Sequence, residues 1–193
     1  KQMSKKIFIL VGHPDKESFN RELANSYADG AREKGHEARV KSLSDLNFDP
    51  ILHRGYREIQ ELEPDLKEVQ EDIKWCDHFV IIYPSWWSTM PAILKGFFDR
   101  VWLPGFAFHF HPSGLWWDGL LKGRTARVFV TSDAHPIFTR IIFGDTTNEI
   151  RKGILWFSGL SVSVKKIGPL KKISEDKKQK WRNKLKKWGS KVY

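Results

Sequence analysis

The chain has 193 residues, with 33 Lys and Arg against 23 Asp and Glu (formal net charge +10), nine Trp, thirteen Phe and a single Cys. That length suits one domain with a full core. The lone Cys76 excludes an internal disulfide and any multi-cysteine metal site, and no apolar run reaches the ~18 residues of a membrane span.

The charge is lopsided. Residues 165–193 hold twelve Lys and Arg and two Asp and Glu, while residues 1–164 balance to zero. A basic tail on a neutral body speaks against nucleic-acid binding as the fold's main business. In chain order, Ile7 to Val11 reads as a first strand rather than a signal peptide's apolar core, which makes the expectation a soluble, cytoplasmic protein. A helix follows from Ser18 to about Lys34, closed by Gly35, and then a second strand from Ala38 to Lys41. Residues 42–65 form a polar connection with Pro50, Gly55 and Pro64, and Asp65 is the expected cap of a helix that reaches Trp75.

His78 to Tyr83 is apolar at nearly every position rather than alternating, the mark of a central parallel strand covered on both faces. Pro91 opens the next helix, where its missing N–H costs nothing, and Ile93, Phe97 and Val101 share one face. Residues 103–123 are an aromatic insertion rich in Gly and Pro. Ala126 to Thr131 is a fourth strand, Thr146 to Trp156 a helix, and Leu160 to Val164 a fifth strand. Ser174 caps a last helix with Trp181, Leu185 and Trp188 on one face and lysines elsewhere. Strands alternating with helices specify a single α/β domain, a doubly wound five-stranded parallel sheet of order 2-1-3-4-5.

In that topology three strand-end loops project into one crevice. The first, "GHPDKESFN", is neither a dinucleotide fingerprint nor a phosphate loop. It does feed a helix N-terminus, where free N–H groups and the helix dipole attract an anion, with His13, Ser18 and Asn20 as further donors. The alternative is that Ser18 merely caps the helix. The second loop carries Trp86 and Trp87. Adjacent Trp side chains cannot both face one way, so at least one edges the crevice and offers a face to a flat ring. The third, "TSDAHP", supplies the hydroxyls of Thr131 and Ser132 and the carboxylate of Asp133. Phosphate on the first loop and a planar ring between the other two describe a flavin nucleotide. His109 and His111 lack a third metal ligand at a suggestive spacing, so no metal is expected.

"GHPDKESFN", "YPSWWSTMPAILKGFFDRVW" and "PGFAFHF" resemble the flavodoxin-like NAD(P)H:quinone oxidoreductases, over residues 5–165. The resemblance implies a homodimer with two interface flavin sites, FAD or alternatively FMN. It also implies ping-pong hydride transfer from NADPH or NADH through the flavin to a quinone. By position, His13, Ser18, Phe19 and Asn20 take the phosphate side. Pro84, Ser85, Trp86, Trp87 and Ser88 line the ring, and Thr131, Ser132, Asp133 and Ala134 meet its pyrimidine edge. Trp87, Phe108 and Phe110 stand where the family contacts quinone. The sequence departs from the family where "TSDA" replaces the frequent "TTGG", where Ser88 replaces an aromatic, and where Phe143 stands in place of a histidine. No catalytic acid or base is assigned. A rival reading is a flavoprotein subunit regulating a potassium-efflux system, its lysine-rich last helix contacting a membrane protein.

Overall fold

The computed structural model describes residues 3–192. Five parallel strands form the central sheet in the order β2-β1-β3-β6-β7: β1 (Lys6–Val11), β2 (Glu37–Ser42), β3 (His78–Pro84), β6 (Thr125–Thr131) and β7 (Ser161–Ile167). The predicted order 2-1-3-4-5 is the one observed. Every residue of β3 is buried, because it lies at the sheet's centre between β1 and β6.

Side chains alternate across the sheet as strand geometry requires. Phe8, Leu10, Phe79, Ile81 and Val128 face one layer, built by α2 (Pro64–Trp75), α3 (Ala92–Val101) and the helix Glu149–Trp156. Ile7, Ile9, Val11, Val80, Ile82 and Phe129 face the other, built by α1 (Phe19–Arg32) and α5 (Glu175–Gly189). α1 and α5 approach unusually closely. A Cβ on Gly30 would lie 1.9 Å from the Lys186 carbonyl oxygen, and one on Gly189 would lie 2.0 Å from that of Tyr27. Only glycines permit that crossing, and it fixes where the first turn of α5 falls.

Four local features differ from the sequence reading. Glu63, not Asp65, sits at the N-cap of α2, since Pro64 occupies the first helical position; the Asp65 carboxylate instead accepts the Asn47 N–H at 2.7 Å. The helix predicted from Thr146 starts at Glu149, because Asp145 holds Thr147 by its N–H (3.1 Å) and hydroxyl (2.6 Å). That helix is widened to i→i+5 bonding, as in Phe157 N–H to Lys152 O at 3.1 Å. The aromatic insertion contains a small antiparallel hairpin, β4 (Phe108–Phe110) with β5 (Trp117–Gly119). Last, a helix absent from the sequence reading, α4 (Pro136–Phe143), follows β6 and buries none of its residues. Cys76 is buried and donates weakly to the Ile73 carbonyl (3.3 Å), and burial pushes its thiol up to about 12. It is a packing residue, not a nucleophile.

Candidate functional site

The carboxyl ends of β1, β3 and β6 open onto a crevice of about 340 Å³. Gly12 follows β1 directly, with its N–H bonded to Ile82 O at 2.8 Å. A Cβ there would come within 2.7 Å of Leu94 and 3.0 Å of Tyr83, so glycine is what lets α3 pack beneath the loop.

The loop that follows is set by side-chain acceptors. His13 Nδ1 accepts the Asp15 N–H (2.9 Å), and Asp15 Oδ1 accepts the Glu17 N–H (2.9 Å). Burial lowers the His13 pKa, against a raising effect of Asp15. The ring is thus neutral at neutral pH, and with Nδ1 accepting, its proton sits on Nε2 as a donor.

Ser18 occupies the N-cap of α1, yet its hydroxyl caps nothing. It is 7% exposed, and its Oγ is buried without a hydrogen-bond partner. A buried hydroxyl left unsatisfied costs about 1–3 kcal/mol, and here it lies on the wall of a crevice beside the open N–H groups of a helix start. Asn20 stands next to it, 5% exposed. Its Oδ1 accepts the Thr131 hydroxyl at 3.0 Å, which turns the amide's NH2 away from β6. Chemically this is a donor-rich, anion-ready cradle.

Two charged or apolar elements that the sequence reading missed complete this end. Lys178, from the first turn of α5, lines the crevice with its Nζ 5.8 Å from the Phe19 ring centroid. Leu170 and Ile173 add apolar wall. The tail's excess of lysine was visible in the sequence, but nothing local singles out Lys178; the glycine crossing of α1 and α5 places it.

The aromatic loop is a tight turn. Trp86 and Thr89 exchange backbone hydrogen bonds (2.9 and 3.1 Å), and the two residues between them, Trp87 and Ser88, take positive φ values of 52° and 63°. Trp86 lines the crevice, with its ring edge-on to His13 at 5.5 Å. Trp87 rides the tip of the turn, 99% exposed, and with Ser88 stays outside the crevice wall. Opposite, Thr131, Ser132 and Asp133 line the crevice. Ser132 N–H bonds Ile167 O (2.9 Å) and its carbonyl receives the Leu170 N–H (3.0 Å). The Ala134 N–H is held by Ser132 Oγ at 3.1 Å, and Ala134 itself is not part of the wall.

Thus His13, Ser18, Phe19, Asn20, Pro84, Ser85, Trp86, Thr131, Ser132 and Asp133 converge on one crevice. Phe108 and Phe110 do not. They pack edge-on against each other (5.3 Å) and against Phe157 (5.3 and 6.3 Å) on the hairpin, at a distance from their own chain's crevice. His111 pairs with Asp118 at 2.9 Å rather than with His109.

Residues 5–192 match the model of a family described by its flavodoxin-like fold, and the chain belongs to that family. It is 27% identical over 202 residues to a human ribosyldihydronicotinamide dehydrogenase [quinone], covering 91% of this chain and 86% of the relative. A solved NAD(P)H:quinone oxidoreductase from Methanothermobacter marburgensis superposes with a TM-score of 0.80 at 26% identity, covering 97% of this chain and 98% of the other. An FMN-dependent NADH-azoreductase from Bacillus anthracis, solved with FMN, shares the fold at 18% identity (TM-score 0.67, covering 97% and 98%).

Proposed function

We propose that this flavodoxin-like chain is a flavin-dependent NAD(P)H:quinone oxidoreductase. The observation that carries the reading is the Ser18 hydroxyl, buried without a partner at the start of α1 on a residue that lines the same crevice as Trp86. The residues present fit a flavin nucleotide. Ser18, the Asn20 amide, the His13 Nε2–H and Lys178 offer donors and charge to its phosphate. Trp86 walls the ring, and Thr131, Ser132 and Asp133 meet its polar edge. A bound flavin supplies the two-electron chemistry, taking hydride from a reduced nicotinamide and giving it to a quinone in alternation. The protein's part is to hold the phosphate, orient the ring and exclude water from it.

FAD is favoured over FMN. A second cavity of about 330 Å³, lined by Trp181, Lys177, Lys180 and Lys184, shares Ile173 with the crevice. An aromatic floor ringed by lysines suits an adenosine and a further phosphate. We also propose pairing of two copies across the aromatic hairpin and turn. Trp87, Phe110, Leu115 and Trp116 are all more than half exposed, an apolar surface larger than a lone soluble chain commonly leaves in water. Pairing would let Phe108 and Phe110 roof the partner's quinone site. The test is the absorbance spectrum of the purified protein, mass analysis of the released cofactor, and turnover with NADPH and a benzoquinone. The expected result is one FAD per chain and quinone-dependent donor oxidation. Failure of the protein to quench the fluorescence of added FAD or FMN would sink the proposal.

A further inference from the structure

We propose that a cavity behind the crevice receives the 2′-phosphate of the hydride donor and so selects NADPH over NADH; this rests on the reductase reading above. The cavity, about 500 Å³, lies between α4, the wide-turned helix and the edge strand β7. Its walls gather three cations, Arg140, Arg151 and Lys166, around one carboxylate, Asp145, over a floor of Val162 and Val164.

Asp145 is already committed. It accepts from Arg151 Nη2 at 3.2 Å and from the Thr147 N–H and hydroxyl. Arg151 also donates to Asn148 Oδ1 at 3.1 Å, while its Nε is buried with no acceptor. Among the described residues Arg140 forms no ion pair, and Lys166 hydrogen-bonds the Thr146 hydroxyl at 3.3 Å while its charge helps hold the Asp145 carboxyl below its ordinary range. The site thus carries a surplus of two positive charges. A phosphomonoester brings roughly −1.5 to −2 at neutral pH and three strong acceptor oxygens, and guanidinium forks match its geometry. A pyrophosphate is common to both donors and carries about one charge per phosphorus; the terminal 2′-phosphate distinguishes NADPH.

The cavity also neighbours the crevice, and a donor whose nicotinamide lies in the crevice would pass over the 132–136 turn to place its 2′-phosphate there. Ser85 and Ser132 line both the crevice and a narrow void beneath the 132–136 turn, while Pro136 and Lys166 line both that void and the basic cavity. The two sites therefore stand back to back across one turn of chain.

The decisive variant is Arg140→Gln combined with Lys166→Gln, which removes the surplus charge and leaves the Asp145–Arg151 pair intact. Two measurements are made on the flavin-loaded protein: calorimetric binding of adenosine 2′,5′-bisphosphate against adenosine 5′-phosphate, and steady-state kinetics with NADPH and NADH. The expected result is that the wild type binds the bisphosphate about tenfold tighter and shows a correspondingly lower KM for NADPH. The double variant loses both advantages without a fall in kcat. Equal affinity for the two adenosine phosphates, or a preference that the double variant keeps, overturns the proposal. If neither donor reduces quinone but the bisphosphate preference is present and vanishes in the variant, the phosphate site stands and the reductase reading falls.

Discussion

At the amino ends of β3 and β6, the His78 ring meets the Thr125 hydroxyl through Nδ1 (2.7 Å) and the Tyr27 hydroxyl through Nε2 (3.2 Å). At the carboxyl ends of the same strands, Thr131 meets Asn20, but Ser18 close by meets nothing. Similar hydroxyl, amide and ring donors are thus used in two ways. The lower cluster closes on itself, with only Arg127 Nε left over, and ties α1, β3, β6 and α5 together. The upper one leaves the Ser18 hydroxyl buried and unpaired beside the crevice. An end of a sheet that satisfies its own polar groups is scaffold, and an end that leaves donors waiting is a site.

The largest expected effect is on the closed end. His78→Leu removes the ring partner of the half-buried Thr125 hydroxyl and leaves the buried Tyr27 hydroxyl with only the long Arg127 Nη1 contact at 3.5 Å, so it should cost about 2 kcal/mol of stability, partly offset by apolar gain. Flavin affinity of the folded fraction should stay at the wild-type level. The same residue gives a pH signature. Burial first, with Arg127 and Lys5 adding, depresses His78 from 6.5 to about 3. The unfolded chain therefore takes up its proton first. The His78 contribution to stability is full above about pH 6.5 and falls by about 1.4 kcal/mol per pH unit below it, or about 2 kcal/mol by pH 5, with smaller losses in the same direction from His13 and His36. Denaturant melts of wild type and His78→Leu across pH 7.5 to 5 test both points. A wild-type slope that persists in the variant would mean another group titrates.

The sheet order and the three loops of the crevice were legible because they follow from general rules: an unbroken apolar run marks a central strand, and ligands gather where parallel strands end. What was not legible depended on tertiary context. α4 is the exception: Ile137, Phe138, Ile141 and Ile142 stand at i, i+1, i+4 and i+5 after Pro136, a helical spacing present in the sequence, although all four are more than half exposed in the fold. Lys178 reached the site through Gly30 and Gly189, far from it in sequence. Which of Trp86 and Trp87 faces the crevice was decided by backbone handedness at the turn, and a sequence of two Trp carries no sign of it.

That handedness supplies an intermediate effect. A left-handed residue other than glycine costs roughly 1–2 kcal/mol, and Trp87, fully exposed, recovers nothing by burial within its own chain. Trp87→Gly should therefore raise thermal stability of the isolated chain by about 0.5–1 kcal/mol, after the added flexibility of the unfolded state is subtracted. If Trp87 meets a second copy, the same change should weaken pairing in sedimentation runs and lower quinone turnover. A variant that is more stable and equally active would leave the strained turn without a functional reason.

The smallest change in the free protein comes from Ser18→Ala, and it separates the two uses of polar groups most cleanly. A serine that caps its helix contributes about 1 kcal/mol, and its loss should show in the melt of the flavin-free protein. A hydroxyl with no partner contributes nothing to that state, and removing it relieves a desolvated group. The geometry is of the second kind, so flavin-free stability should hold or rise by a few tenths of a kcal/mol. In the flavin-bound protein the missing donor to a phosphate oxygen should weaken binding by about 1.5 kcal/mol, or roughly tenfold. Affinity for riboflavin, which has no phosphate, should not move. A drop in flavin-free stability with unchanged FAD affinity would make Ser18 a cap and move the anion's place along the loop toward Asn20 and Lys178.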